Sequence, residues 1–249
     1  MVKTSPLSLL PGYVLKLLAA ALMVVDHIGV IFFPDALIWR QIGRLSMPIF
    51  AYLIAESCYY THSPLLYLGR LFTCLAVCQV GNYVGTGSYD ICIIGTFFLG
   101  ASLLFCLQNA KSACFSKKLE KGFLWSVLFA LGIAITYYVN QKVYIDYGFW
   151  GCMLPVFAGV CYMPKNAPEH LKKWHNKWVS LLCFAIGLCL LSYFDDYSKV
   201  QVYCLLALPL LTLYSGKRGK WKLRYFFYLF YPIHLAVLEG IYQLVSMYA

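Results

Sequence analysis

The stretch Leu15–Pro34, LKLLAAALMVVDHIGVIFFP, decides the fold. It is long and apolar enough to cross a bilayer, which takes about 20 helical residues for ~30 Å of hydrocarbon. Toward its far end, however, Asp26 and His27 stand side by side between apolar runs. Ionisable groups at such depth are costly and point to function by default. Lys16 opens the same stretch. Eleven residues at about 100° each return His27 to within roughly 20° of the Lys16 face, about 16 Å further along the axis. One helix face thus carries a cation near one membrane surface and a titratable ring deep toward the other. The plainer alternative is a snorkelling lysine and a polar pair hydrogen-bonded inside a bundle.

Composition fixes the class. Of the 249 residues, 61% are hydrophobic and only 12% are charged, about half the charged share of a soluble domain. The expected fold is an all-α integral membrane protein forming one polytopic domain over residues 1–249. A cleaved signal peptide is not expected, because the first apolar segment is too long, more spans follow, and no small-residue cleavage site is seen. The formal charge of +10 would suggest nucleic acid in a soluble chain; here the cations belong to loops, and no nucleic-acid partner is expected. The 11 cysteines lie mostly inside apolar runs. Cys74 and Cys78 share a helix face, but without nearby His or Cys partners no metal site is expected. The cysteines read as small, reduced core residues.

Apolar segments near 13–33, 37–60, 65–84, 91–109, 121–139, 147–164, 177–195, 199–215 and 224–247 predict about nine transmembrane helices, in a range of roughly 8–11. No internal repeat of the transporter kind is visible. Lys111, Lys117, Lys118 and Lys121 fill one break; Lys165, Lys172, Lys173 and Lys177 a second; Lys217, Arg218, Lys220, Lys222 and Arg224 a third. The alternate breaks hold Asp90, Asp146, Asp195 and Asp196 and few cations. The excess of Lys and Arg marks the cytoplasmic side. The expected topology has a cytoplasmic N-terminus and an extracytoplasmic C-terminus, with Asp26 and His27 in the outer half of the bilayer.

Other polar groups surround that pair. Arg40 and Arg44, one turn apart in RQIGR, share a face at a depth similar to Asp26, so an Asp26–Arg44 pair is geometrically sound. Glu56 lies deeper on the same segment, beyond Pro48, which is expected to kink it. Arg70 opens the third segment and suits either lipid headgroups or an anionic ligand. In YIDYGFWG, Asp146 and Tyr147 precede Gly148 and Gly151 at the entrance to the sixth segment; Asp146 suits a helix cap as well as a site. In the last segment His234 follows Pro232, which frees a backbone carbonyl that His234 can satisfy unless it faces a cavity. The 21 tyrosines and 6 tryptophans read as interfacial anchors and packing.

Together, KLLAAALMVVDHIG, RQIGRLSMPIFAYLIAE, YIDYGFWG, YSGKRG and FYPIHL resemble the TraX family, membrane acyltransferases whose named member N-acetylates conjugative pilin. The resemblance covers nearly the whole chain, with the motifs in the expected order. The family in turn is similar to the wider transmembrane acyltransferases, including the acyltransferase type 3 group and heparan-α-glucosaminide N-acetyltransferase. In the type 3 group a basic residue, ten residues and a histidine mark the first helix. Lys16 and His27 match that spacing, with Lys in place of the usual Arg, which loses bidentate phosphate geometry.

The resemblance implies a protein of the bacterial cytoplasmic membrane that moves an acetyl or longer acyl group from CoA to an amine or hydroxyl. A pilin N-terminus, a glycan and a small molecule all remain open as acceptor, as does homodimerisation. Acyl transfer needs a base for the acceptor proton, a group that orients the base, and donors facing the developing oxyanion. His27 is the best base. Asp26 or Asp146 can fix its tautomer, and Arg44 can orient Asp26 or stabilise negative charge. Acetyl-CoA phosphates suit Lys16, Arg70, Lys217 and Arg218, although no glycine-rich phosphate loop is present. Arg40, Glu56, Tyr147 and His234 complete a polar cavity. A transporter or proton-coupled exporter would use similar residues, but the odd helix count and absent repeat argue against it. A structural membrane subunit is the blandest reading, and the clustering of ionisable residues toward one side argues weakly against that.

Overall fold

In the computed structural model of the chain, residues 9–194, 200–217 and 224–248 are described. Asp195, Asp196, Arg218, Lys220 and Lys222 lie outside them. The elements are α1 (Gly12–Phe32), α2 (Leu37–Gly43), α3 (Ser46–Tyr60), α4 (Pro64–Thr86), α5 (Ile93–Phe115), α6 (Leu119–Lys142), α7 (Gly148–Gly159), α8 (Glu169–Lys172) and α9 (Lys177–Phe194). A 3₁₀ helix (Gln201–Leu206), α10 (Ala207–Thr212) and α11 (Arg224–Tyr248) complete the chain. Among the described residues extended pairing is limited to two isolated bridges, Leu10 with Tyr214 and Ile91 with Ile145.

Six helices are long and apolar enough to cross a membrane: Gly12–Phe32, Pro64–Gly85, Ile93–Phe115, Leu119–Lys142, Lys177–Phe194 and Tyr228–Met247. They mark a multi-pass membrane protein. The three other expected segments are shorter or broken. Segment 147–164 contains the 12-residue α7, and segment 199–215 contains the 3₁₀ helix followed by α10.

Segment 37–60 is interrupted at Arg44 and Leu45. The break is placed by Pro48, whose ring excludes the carbonyl of the residue four positions back and has no N–H to offer it. Pro48 therefore sits in the first turn of α3, where its N–H is not needed, and the expected kink is instead a complete break.

The chain divides into two compact units, residues 1–50 with 192–249, and residues 51–191. In the first, α1 and α2 pack closely because glycines face their contact. A Cβ on Gly29 would lie 2.3 Å from Trp39 Cβ, and one on Gly43 would lie 2.3 Å from Asp26 Cβ and 2.6 Å from its Cα. The buried Ser46 hydroxyl donates to the Ala19 carbonyl at 2.7 Å, the kind of interhelical polar tie that lipid-embedded helices use. Residues 9–12 pair with the segment after α10: Leu9 and Leu10 N–H donate to Leu213 O, Ser215 N–H to Leu10 O and Gly12 N–H to Lys217 O.

In the second unit, α5 is the central helix, packed by α4, α6 and α7. Small residues again permit approach: a Cβ on Gly100 would stand 2.5 Å from the Cys152 carbonyl oxygen and 2.9 Å from Pro155 Cγ. Gly100→Ala is therefore expected to destabilise the protein by about 1–3 kcal/mol through overpacking. A fall in Tm in detergent checks this, and an unchanged Tm would show that α5 and α7 are not in this register. Several hydroxyls within the helices bond back to their own turn, as do Ser102 to Phe98 O, Ser126 to Gly122 O and Thr136 to Gly132 O, which satisfies them without a partner from outside the helix. Outward-facing Leu65, Val77 and Val84 on α4 and Phe123, Leu131 and Ile135 on α6 present the apolar surface that acyl chains solvate.

Candidate functional site

The site grows from the turn Met23–His27 of α1. Met23 precedes His27 by one helical turn, and its carbonyl lies 2.9 Å from His27 Nδ1. A carbonyl only accepts, so the contact assigns the proton to Nδ1 and leaves the lone pair of the neutral ring on Nε2. No described residue hydrogen-bonds that Nε2. Asp26, buried on the neighbouring face, receives Arg40 Nη1 on its Oδ2 at 3.0 Å. Its Oδ1 is buried without a hydrogen-bond partner among the described residues. The carboxylate thus holds one charge-assisted bond and one open acceptor.

The cation that pairs with Asp26 is Arg40, one turn before the Arg44 that the sequence favoured. Arg40 projects from the last full turn of α2. Arg44 is at the C-cap, where its backbone N–H donates to Arg40 O at 3.0 Å, and its side chain is half-buried. The absence of a Cβ at Gly43 is what lets α2 lie against Asp26.

From α11, His234 meets His27. Its Nε2 is 3.2 Å from His27 Nδ1 and the ring centroids are 5.0 Å apart. His234 Nδ1 lies 2.8 Å from the carbonyl of Phe230. That carbonyl belongs to the residue two before Pro232, whereas the proline frees the carbonyl of Tyr228, four residues before it. His234 therefore satisfies a different carbonyl from the expected one, and it faces its partner histidine. Phe230 stacks on the His234 ring at 4.8 Å and 12°, and Tyr231 meets it edge-on at 5.6 Å.

Two cations of the expected donor-binding set sit at one end of this unit. Lys16 lies one turn beyond Gly12, and the Gly12 N–H···O=C Lys217 bond of 2.8 Å brings Lys217 to the start of α1. Lys217 is exposed. Arg218 lies outside the described residues.

The other expected residues belong to the second unit. Arg70 is half-buried on α4 and Glu56 half-buried on α3. Asp146 joins the short bridge beside α5: its N–H donates to Ile91 O at 2.9 Å and its carbonyl accepts Thr96 Oγ1 at 2.6 Å. The N-cap of α7 is Tyr147, left-handed at φ 62° and without a side-chain cap bond, so Asp146 is not the cap. Gly148 follows at φ 58°, a conformation that favours glycine.

This second unit also holds a cluster that sequence reading missed. His175 stacks on Tyr162 at 5.0 Å and meets Tyr59 edge-on at 4.5 Å, while its Nδ1 accepts the Met163 N–H at 3.4 Å. Burial holds the His175 pKa below that of a free imidazole. Lys111 donates to the carbonyls of Val160 and Tyr162. No sequence pattern joins these residues, which come from α3, α5 and the segments on either side of α8.

Comparison with known proteins agrees with this frame. The family model described as "TraX protein" matches residues 12–242. A curated relative from Dichelobacter nodosus, described as "Probable fimbrial assembly protein FimC, serogroup H1", is 26% identical over 245 residues, covering 91% of this chain and 93% of the relative. No solved structure matches. The matched span runs from the first residue of α1 to beyond His234 and so includes Asp26, His27, Arg40 and their neighbours; the chain belongs to the TraX family.

Proposed function

We propose that this chain is a membrane-embedded acyltransferase that moves an acetyl group from acetyl-CoA to an amine or hydroxyl, with a pilin-type subunit as the favoured class of acceptor. The family supports a pilin-related role, as does the printed description of the D. nodosus relative as a fimbrial assembly protein. The observation that carries the chemistry is the His27 ring, whose Nδ1 is held on the Met23 carbonyl so that Nε2 keeps its lone pair. A base for an acceptor N–H or O–H needs that state.

In this reading His27 Nε2 removes the acceptor proton as the acceptor attacks the thioester carbonyl. Acetyl-CoA supplies the activated acyl group and a thiolate leaving group. The protein's own contribution is positioning and charge. Arg40 holds Asp26, and the Arg40 and Arg44 guanidinium groups supply positive potential near the ring on which negative charge on the reacting carbonyl can draw. The Met23 carbonyl and His234 orient the ring, in place of Asp26 or Asp146.

The donor phosphates are proposed to meet Lys16 and Lys217, which the Gly12–Lys217 bond brings to one end of α1, with Arg218 as a further cation. The proposed setting is the bacterial cytoplasmic membrane with the N-terminus inside and the C-terminus outside. That orientation requires an odd number of crossings, so some of the shorter segments must also cross.

Calorimetric titration of acetyl-CoA into purified protein in detergent tests the proposal. Saturable binding is expected, weakened about 10-fold or more in Lys16→Ala, because a charge-assisted contact to phosphate contributes on the order of 1.5–3 kcal/mol. No binding at millimolar acetyl-CoA would sink the acyltransferase reading and turn attention to transport.

A further inference from the structure

The pairing of His27 with a second histidine carries an inference beyond the choice of base, and it rests on the acyltransferase reading above. Each ring has its Nδ1 on the carbonyl one turn before it: His27 on Met23 at 2.9 Å and His234 on Phe230 at 2.8 Å. Both carbonyls can only accept, so both neutral rings carry their proton on Nδ1. His234 Nε2 is then a lone pair, and it lies 3.2 Å from the protonated Nδ1 of His27. A donor of one ring faces the acceptor of the other. The His27 Nδ1 proton is shared between Met23 O and His234 Nε2, a three-centre arrangement.

We infer that His234 is the positioning residue and proton store of the transfer: when His27 Nε2 takes the acceptor proton, the His27 Nδ1 proton passes to His234 Nε2. The bonds balance. The acceptor N–H or O–H breaks as N–H forms at His27 Nε2; N–H breaks at His27 Nδ1 as N–H forms at His234 Nε2. His27 ends neutral and His234 ends as an imidazolium, with its Nδ1–H still on Phe230. Reversal of the same path returns the proton to the departing CoA thiolate, and the net reaction is acceptor plus thioester giving acylated acceptor plus thiol.

The surroundings oppose a second added proton. Arg40 on α2 and Arg44 at its C-cap bear on His27 electrostatically; Asp26 on α1 is engaged by Arg40; and Tyr231 on α11 flanks both rings, at 6.5 Å from His27 and 5.6 Å from His234. Two imidazolium rings in contact, with two guanidinium groups near one of them, repel one another. Only one of the two rings therefore carries an extra proton at a time. Passing that proton to His234 moves the charge one ring further from the arginines of α2.

The test uses the full chain in detergent, with acetyl-CoA as donor, a synthetic peptide with a free α-amine as acceptor, and thiol release as the readout. His234→Leu removes the lone pair, and kcat is expected to fall about 10–100-fold, as on loss of a group that orients a reacting ligand, with KM for acetyl-CoA unchanged. His234→Gln places an amide oxygen that accepts the His27 Nδ1 proton without storing it, so it restores part of the loss. A ring that only fills space predicts the reverse order, because leucine packs and glutamine does not. Nitrogen-15 spectra of histidine-labelled wild type are expected to show Nδ1–H tautomers for both residues, a readout independent of turnover. A wild type that binds and turns over acetyl-CoA with His234→Leu equally active would overturn the relay alone, as would an Nε2–H tautomer at His234. A wild type without acetyl-CoA turnover would overturn the acyltransferase reading and the relay with it, whatever the tautomers.

Discussion

His27→Ala is expected to reduce acyl transfer to background, a loss of about 10²–10⁴-fold for removal of a general base, while the protein inserts and elutes as the wild type does. The two halves of this expectation have separate grounds. His27 is the ring with a lone pair left available, at Nε2, because its proton sits on Nδ1 between Met23 O and His234 Nε2; His234 has its own Nε2 turned toward His27 and is not positioned to replace it. Folding survives because the Met23 carbonyl retains the ordinary i to i+4 partner, the backbone N–H of residue 27. The side chain is only half-buried, so truncation opens a modest void. Activity in His27→Ala within a few-fold of wild type would remove this residue from the mechanism. A variant lost from the membrane would be replaced by His27→Gln, which keeps volume and polarity but cannot take up a proton near neutral pH.

Arg40→Met is expected to produce the largest loss of stability among single changes at the site. Asp26 is buried at 8% exposure, its Oδ1 already lacks a partner among the described residues, and its Oδ2 is held by Arg40. Removing the guanidinium leaves a buried carboxylate with its main compensation gone. Breaking a buried pair from one side costs about 3–5 kcal/mol; the Arg40 side chain keeps 27% exposure, which places the expectation near the lower end. The paired change Asp26→Leu with Arg40→Met is expected to recover much of that loss, because replacing both partners by apolar groups removes the desolvation penalty. Thermal unfolding of the two single variants and the double variant in one detergent forms the cycle that measures the coupling. Equal Tm values for wild type and Arg40→Met would show that the pair is not made. Because Asp26 adjoins His27 in sequence, the double variant also asks whether the ion pair serves catalysis or only folding: full transfer at restored stability would assign it to folding.

The membrane class, the long helices and the placing of Lys16, Asp26 and His27 along α1 were legible in the sequence, because each depends on properties local to the chain. Hydrocarbon thickness sets the length of an apolar run, and a helical rotation of about 100° per residue fixes which residues share a face. The spacing of Lys16 and His27 and the adjacency of Asp26 to His27 therefore needed no tertiary information. The same logic could not choose between Arg40 and Arg44, which lie on one face a single turn apart. That choice came from the helix break at Arg44 and Leu45, imposed by Pro48, and from the missing side chain of Gly43, which seats α2 on Asp26. Nor could any local pattern join His27 to His234, 207 positions later, or Lys217 to the first turn of α1. Helix periodicity sets which side chains share a face, but only the packing of distant helices sets which faces meet. For this chain that packing turns two separately placed histidines into one hydrogen-bonded pair.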